Sequence, residues 1–234
     1  MDTLDNPLMW ANFLLWSIST LLILICGGIS LKLANQIKAE ENFPQKKNLS
    51  TWGYFFTLLA ISNILILVWR FVPLSNQAVD FIERIANSLF YVAVFVRVLD
   101  IEKRVLNRKR YYFSSFVAVS IGINLFVPPW FLKSISPWQV IFLILVSVGY
   151  SVFPVIYFYV SRKAVGEVRS NALKASAGAV FLALGYLFRP ENVVAYQGIS
   201  QFGDAFITSL YISAPIYIIL GIVLIYLSFR KIKD

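Results

Sequence analysis

The chain has 234 residues, of which 59% are hydrophobic and 14% are charged. A soluble domain is typically about half apolar and about a quarter charged, so this composition favours a membrane protein. The net charge of +9 would suggest nucleic-acid binding in a soluble protein. Here the basic residues flank apolar segments, where topology and lipid head groups explain them better, and no nucleic-acid partner is expected.

Histidine and cysteine usage excludes several chemistries. The sequence has no histidine, which rules out histidine-ligated metal sites and serine–histidine catalysis. Its one cysteine, Cys26, leaves no partner for an intrachain disulfide. Phosphate-binding glycine loops are also missing, so we predict no catalytic residues, no metal ligands and no enzyme activity.

Seven apolar segments are predicted as membrane-spanning helices, because about 20 apolar residues cross the hydrocarbon layer of a bilayer. They lie at about 8–31, 52–72, 78–98, 111–131, 138–159, 173–188 and 206–227. The predicted fold is an all-α, seven-helix bundle that forms a single membrane domain over residues 1–234.

The distribution of basic residues predicts the orientation of this bundle. Lysine and arginine concentrate in the loops after the first, third and fifth segments and in the C-terminal tail. The opposite loops contain only Arg70, Lys133 and Arg189. The positive-inside rule therefore puts the C-terminus in the cytoplasm and the N-terminus outside. We expect a multi-pass protein of the plasma membrane.

Two parts of the chain resemble each other at a fixed offset. Residues 81–96 align with residues 202–217, matching Phe81 with Phe202 and Ala93 with Ala214. The alignment predicts two parallel three-helix units, 1–105 and 134–234, joined by the fourth segment. Parallel repeats of this kind occur in transporters.

The third segment carries unexpected polar residues. Asp80, Arg84 and Asn87 recur at helical spacing on one face, with Glu83 beside them. An ionisable group in hydrocarbon costs at least about 2.5–3.5 kcal/mol, so such groups are expected to face the bundle interior, water or one another. We predict an acidic partner for Arg84, either Asp80 or Asp204.

These residues and others at the outer end of the bundle are candidates for a ligand-binding or ion-pair site. The alternative is that the charges lie in the head-group layer and hold the helix ends together. The candidate site residues are Asp80, Glu83, Arg84, Asn87, Asp204, Arg70, Arg189 and Glu191.

Two further features concern helix movement. Pro154 and Pro215 lie within the fifth and seventh segments and are candidate hinges, with a static kink as the alternative. Arg97 and Asp100 are three residues apart at the cytoplasmic end of the third segment; a local ion pair between them is one interpretation, and a solvated helix end is the favoured one.

The topology resembles three families of membrane protein. The arrangement of three, one and three spans resembles SWEET sugar transporters, although the first segment lacks their proline. The size and topology resemble microbial rhodopsins, but residues 206–227 contain no lysine for a retinal Schiff base, so no retinal or other cofactor is expected. The helix number and basic inner loops resemble the seven-helix input regions of microbial sensor kinases.

The leading functional prediction is a receptor- or sensor-like module. It would bind a small ligand, a lipid or a partner protein and couple to cytoplasmic proteins through its basic loops. One alternative is a small permease built from the two three-helix units. Another is a non-catalytic subunit or scaffold of a larger membrane complex. The expected partners are the lipid bilayer and a cytoplasmic or membrane protein.

Overall fold

A computed structural model describes residues 7–37, 39–104, 111–127, 138–189 and 203–229, and this part of the chain is all-helical. It contains seven helices: α1 (Pro7–Gln36), α2 (Ala39–Phe71), α3 (Asn76–Arg104), α4 (Tyr112–Phe126), α5 (Trp138–Lys163), α6 (Gly166–Leu187) and α7 (Gly203–Phe229).

Four of these helices are long and apolar enough to cross a membrane. They comprise α1, most of α2, and the segments Ile144–Lys163 of α5 and Thr208–Phe229 of α7. The other three fall short, since α4 has only 15 residues and both α3 and α6 carry charged side chains within their length. Large apolar side chains such as Leu14 and Leu220 are also exposed on α1 and α7. The protein is therefore membrane-embedded.

The helices extend beyond most of the apolar segments that predicted them. α2 begins at Ala39 rather than near residue 52, and α3 ends at Arg104 rather than near residue 98. Alanine, lysine, glutamate and arginine are good helix formers, so helical hydrogen bonding continues past the apolar segment. α4 instead ends early, at Phe126. The next residue, Val127, has φ −85° and ψ 128°, the extended conformation favoured before a proline, here Pro128.

The chain divides into two compact units. The first comprises mainly Thr20–Tyr150, and the second combines Thr3–Ser19 with Ser151–Asp234. The boundaries fall inside α1 and α5 rather than at residues 105 and 134. The two parallel repeat units therefore remain a prediction from the sequence.

In the first unit, α2 packs against α3, and α3 packs against α4. Trp52, Phe55 and Phe56 are almost fully buried on α2, and their ring centroids lie 5.3–5.5 Å apart. On α3, Ala86 and Ala93 are fully buried and allow the neighbouring helices to approach closely. A cluster of aromatic rings thus anchors the first unit beside the polar end of α3.

In the second unit, α6 and α7 touch backbone to backbone. A Cβ atom added to Gly178 would lie 2.7 Å from the carbonyl oxygen of Gly221, and one added to Gly221 would lie 2.7 Å from the amide nitrogen of Leu182. Gly185 meets α7 in the same way, 2.8 Å from the carbonyl oxygen of Ala214. Small residues at such contacts let membrane helices pack tightly without an apolar driving force.

Candidate functional site

A buried polar network joins the C-terminal part of α3 to α2. Its centre is Arg97, whose side chain is 2% exposed. The guanidinium carbon lies 4.2 Å from the centroid of the Trp52 ring, in a cation–π contact. Nη1 of Arg97 donates to the Thr51 hydroxyl at 2.9 Å and to Oδ2 of Asp100 at 3.1 Å. Arg97 and Asp100 therefore form the local pair that was the less favoured interpretation of the sequence, and they are not solvated, because Thr51 and Trp52 of α2 cover Arg97.

Asp100 connects the members of this network. Its carboxylate accepts from Arg97 and also lies 2.6 Å from Nε of Arg104, one turn further along α3. The Thr51 hydroxyl lies 3.1 Å from the same carboxylate. We call Thr51, Trp52, Arg97, Asp100 and Arg104 the Arg97 network. A buried charge is tolerated only when it is paired, so each of these side chains constrains the others.

A second carboxylate of α3 caps the first turn of α4. Glu102 is 1% exposed, and its two oxygens accept the backbone N–H groups of Phe113 at 2.7 Å and Ser114 at 3.0 Å. The first amides of a helix have no partner within the helix, and α4 supplies no side-chain cap of its own. The negative charge of Glu102 also matches the positive end of the α4 dipole.

Arg84 binds the opposite end of α4. Its guanidinium donates to the backbone oxygens of Leu125 at 3.3 Å and Val127 at 2.5 Å. The Asn124 amide donates in return to the backbone oxygen of Arg84 at 2.9 Å and to the Ser88 hydroxyl at 2.7 Å. A cation at the carbonyl end of a helix is the favourable arrangement. Side chains of α3 thus satisfy both ends of the shorter helix.

These contacts change the interpretation of the polar residues on α3. Glu83 is exposed, and Asp80, Arg84 and Asn87 are half-buried. Their position facing the bundle interior stays a prediction. Arg84 makes its hydrogen bonds to described residues with carbonyl oxygens of α4 instead of a carboxylate, because that helix end offers acceptors without a second buried charge. The carboxamide that bonds across α3 and α4 among the described residues is Asn124 of α4, whereas the sequence pointed to Asn87 of α3.

The other predicted site residues lie in different parts of the chain. Arg70 belongs to the first unit and is buried, with its guanidinium carbon 5.5 Å from the Phe71 ring centroid. Arg189 belongs to the second unit and is buried 5.7 Å from the ring centroid of Trp16. Glu191 and the Asp204 side chain lie outside the described residues. A joint site of these charges remains a prediction.

Both candidate hinge prolines lie next to polar side chains of neighbouring helices. Proline has no N–H for the carbonyl one turn earlier, so Pro215 cannot satisfy the carbonyl of Tyr211. The side-chain amide of Asn12, on α1, donates to that carbonyl. At the other proline, the Ser176 hydroxyl of α6 donates to the carbonyl of Pro154 at 2.9 Å.

Several of these residues carry no signal in the sequence. Glu102 and Trp52 act through a partner on another helix, and spacing along the chain does not show which helices are adjacent. Asn12 is different, because a single carboxamide within an apolar segment is itself unusual and could have indicated a bond to another helix. In the described ranges, no group of three acidic or cysteine side chains is suitable for holding a metal ion.

No protein-family model, curated protein sequence or solved structure matches this chain. The functional argument therefore depends on geometry. The described residues form two sets of contacts between helices. One joins α2, α3 and α4 in the first unit, and the other joins α1, α6 and α7 in the second.

Proposed function

We propose that the chain is a seven-span protein of the plasma membrane that acts as a receptor- or sensor-like module, with its N-terminus outside and its C-terminus in the cytoplasm. Four apolar helices and the asymmetry of the basic loops support the membrane topology. In this proposal α3, α4 and α6 are the remaining spans. Capping by Glu102 and Arg84 lowers the cost of placing the ends of the short α4 within the membrane.

The observation that carries the proposal is the Arg97 network. By the positive-inside rule it belongs to the cytoplasmic end of the bundle, next to the exposed Lys103 and the basic segment that follows. Any shift of α3 relative to α2 has to break and remake the contacts of Arg97 with Thr51 and Trp52. Contacts of this kind exist in a small number of discrete arrangements, which is what a two-state signalling element needs.

The proposed signal runs from the outer part of the protein to a cytoplasmic partner. A ligand, lipid or membrane protein that binds one arrangement of α2 and α3 more tightly than the other shifts their equilibrium. The partner would then read the position of the end of α3, where Lys103 is exposed.

The test is photo-crosslinking in native membranes, with the crosslinker at Lys103. It should capture a cytoplasmic protein, and the substitution Arg97→Gln should reduce this capture while the protein remains folded. The matched control is a crosslinker at Val119, which is exposed on α4 and should capture lipid alone.

The outcomes separate the three functions. A partner whose capture is unaffected by Arg97→Gln would indicate a scaffold or complex subunit. If no protein is captured and the reconstituted chain moves a solute across liposomes, the protein is a permease. Either result would overturn the sensor proposal.

A further inference from the structure

The last helix contains a proline break that a side chain of the first helix bridges. Pro215 is buried near the middle of α7 and has no amide hydrogen for the carbonyl of Tyr211. A backbone carbonyl without a partner is costly in hydrocarbon, because no water is present to replace the lost bond. Asn12 supplies the missing donor from its side-chain amide. These residues all belong to the second unit.

Asn12 has no other evident use at this position. Its side chain is fully buried, and its Oδ1 atom accepts no hydrogen bond from any residue that the structure describes. A leucine would fill the same apolar surroundings without burying a half-satisfied amide, and such an amide is unfavourable in a core. The bond to the carbonyl of Tyr211 is therefore the contribution that this side chain makes.

The two parts of α7 make different contacts with the neighbouring helices. After the break, the backbone of α7 is packed on α6 through Gly178, and Gly185 lies against Ala214 at the break itself. Before the break, the side-chain amide of Asn12 on α1 donates to the backbone of α7. One turn further along α1, Trp16 packs edge-on against Tyr186 of α6, with ring centroids 6.4 Å apart.

We propose that Asn12 is the latch of a hinge at Pro215. When the latch is engaged, the carbonyl of Tyr211 is satisfied and the angle between the two parts of α7 is fixed. When α1 moves away, the part of α7 before Pro215 changes its angle against the part that remains on α6. The latch stands independently of the receptor function, because it depends only on contacts within the second unit.

The experiment measures the bend directly by double electron–electron resonance in lipid nanodiscs. Spin labels at Phe206 and Leu227, both exposed, report the distance across Pro215 in a Cys26→Ser background. The parent should give one narrow distance distribution. Asn12→Leu, which keeps the volume and removes the donor, should broaden or shift it and lower the melting temperature by several degrees.

The decisive comparison uses Pro215→Ala, which restores the missing amide hydrogen. This variant should give a narrow and longer distance, because the helix is straight when the carbonyl of Tyr211 has its own partner. Asn12→Leu added to Pro215→Ala should then change neither the distribution nor the melting temperature further. The matched control is Ser19→Ala, a fully buried side chain on the same helix whose hydroxyl donates to the carbonyl of Trp16 within α1.

Two results would reject the latch. The first is a parent-like distance distribution in Asn12→Leu. The second is a decrease in melting temperature on Asn12→Leu that is equally large in the parent and in Pro215→Ala. Asn12 would then act through packing and not through the carbonyl of Tyr211.

Discussion

Glu102 and Arg84 lie on the same helix and bind opposite ends of α4, the carboxylate at its first amides and the guanidinium at its last carbonyls. This arrangement requires α3 and α4 to run antiparallel. Each charge has the sign that the adjoining helix end favours. Because α3 provides both caps, α4 needs no capping residues of its own, and the two helices form one structural element.

Removing the amide-end cap should destabilise α4. In Glu102→Ala the buried N–H groups of Phe113 and Ser114 lose their acceptor, so we expect a loss of about 1–3 kcal/mol in the free energy of unfolding. Thermal unfolding in detergent and faster amide exchange at these two residues would measure it. Gln77→Ala, at an exposed position on the same helix, should stay within about 0.5 kcal/mol of the parent. Equal effects from both substitutions would contradict the cap.

Removing the carboxylate of the Arg97 network should lower the stability of the protein more than removing one of its arginines. Arg97→Ala leaves Asp100 paired with Arg104, whereas Asp100→Ala leaves two guanidinium groups without their common carboxylate. Breaking a buried pair costs about 3–5 kcal/mol, and we expect Asp100→Ala to be the more damaging change. Unfolding by heat in the same detergent would rank them. Lys103→Ala, at an exposed position, is the control.

We expect that lysine at position 97 does not restore the stability that Arg97 provides. The flat guanidinium both stacks on the Trp52 ring and donates to Thr51 and Asp100, and a compact ammonium group does not reproduce this geometry. Arg97→Lys should therefore melt closer to Arg97→Ala than to the parent. A parent-like melting temperature would mean that charge alone accounts for the site.

The contact between α6 and α7 should tolerate no added methyl group. In Gly178→Ala or Gly221→Ala the new Cβ meets backbone atoms at about 2.7 Å, so the helices have to separate, at a cost of about 1–3 kcal/mol. Gly28→Ala and Gly122→Ala are the controls, because nothing lies within 4 Å of a Cβ at either position. Alanine there should be neutral or stabilising by up to about 1 kcal/mol. If all four variants melt alike, the close approach of α6 and α7 is wrong.

The orientation of the chain is testable by cysteine labelling in intact cells with Cys26 replaced by serine. An impermeant maleimide should label a cysteine at Lys133 and should not label one at Lys109. Both positions lie outside the described residues, and the prediction depends on the distribution of basic residues alone. The reverse pattern would invert the proposed topology and move the Arg97 network to the outside.

The sequence allowed each of the seven helices in the described part of the chain to be predicted, because each one contains an apolar segment with its own boundaries. Helix ends were less predictable, and α2 extends back to Ala39 through polar residues that an apolar pattern does not register. At the candidate sites, spacing along one helix suggested the pair of Arg97 and Asp100 but did not reveal its burial, because Trp52 and Thr51 cover it from another helix. It failed for Arg84, whose partners are backbone atoms of a helix that the sequence does not show to be adjacent.

The bond between Glu102 and the amide of Phe113 also has a practical use. This bond joins the end of α3 directly to the first turn of α4, so it fixes the two helix ends relative to each other independently of the residues that connect them. At 26.6 kDa, the protein is a candidate for a rigid fusion partner as a fiducial in electron cryomicroscopy. A helical insert grafted between Arg104 and Tyr111 would take its orientation from both helices, provided that the glutamate is retained.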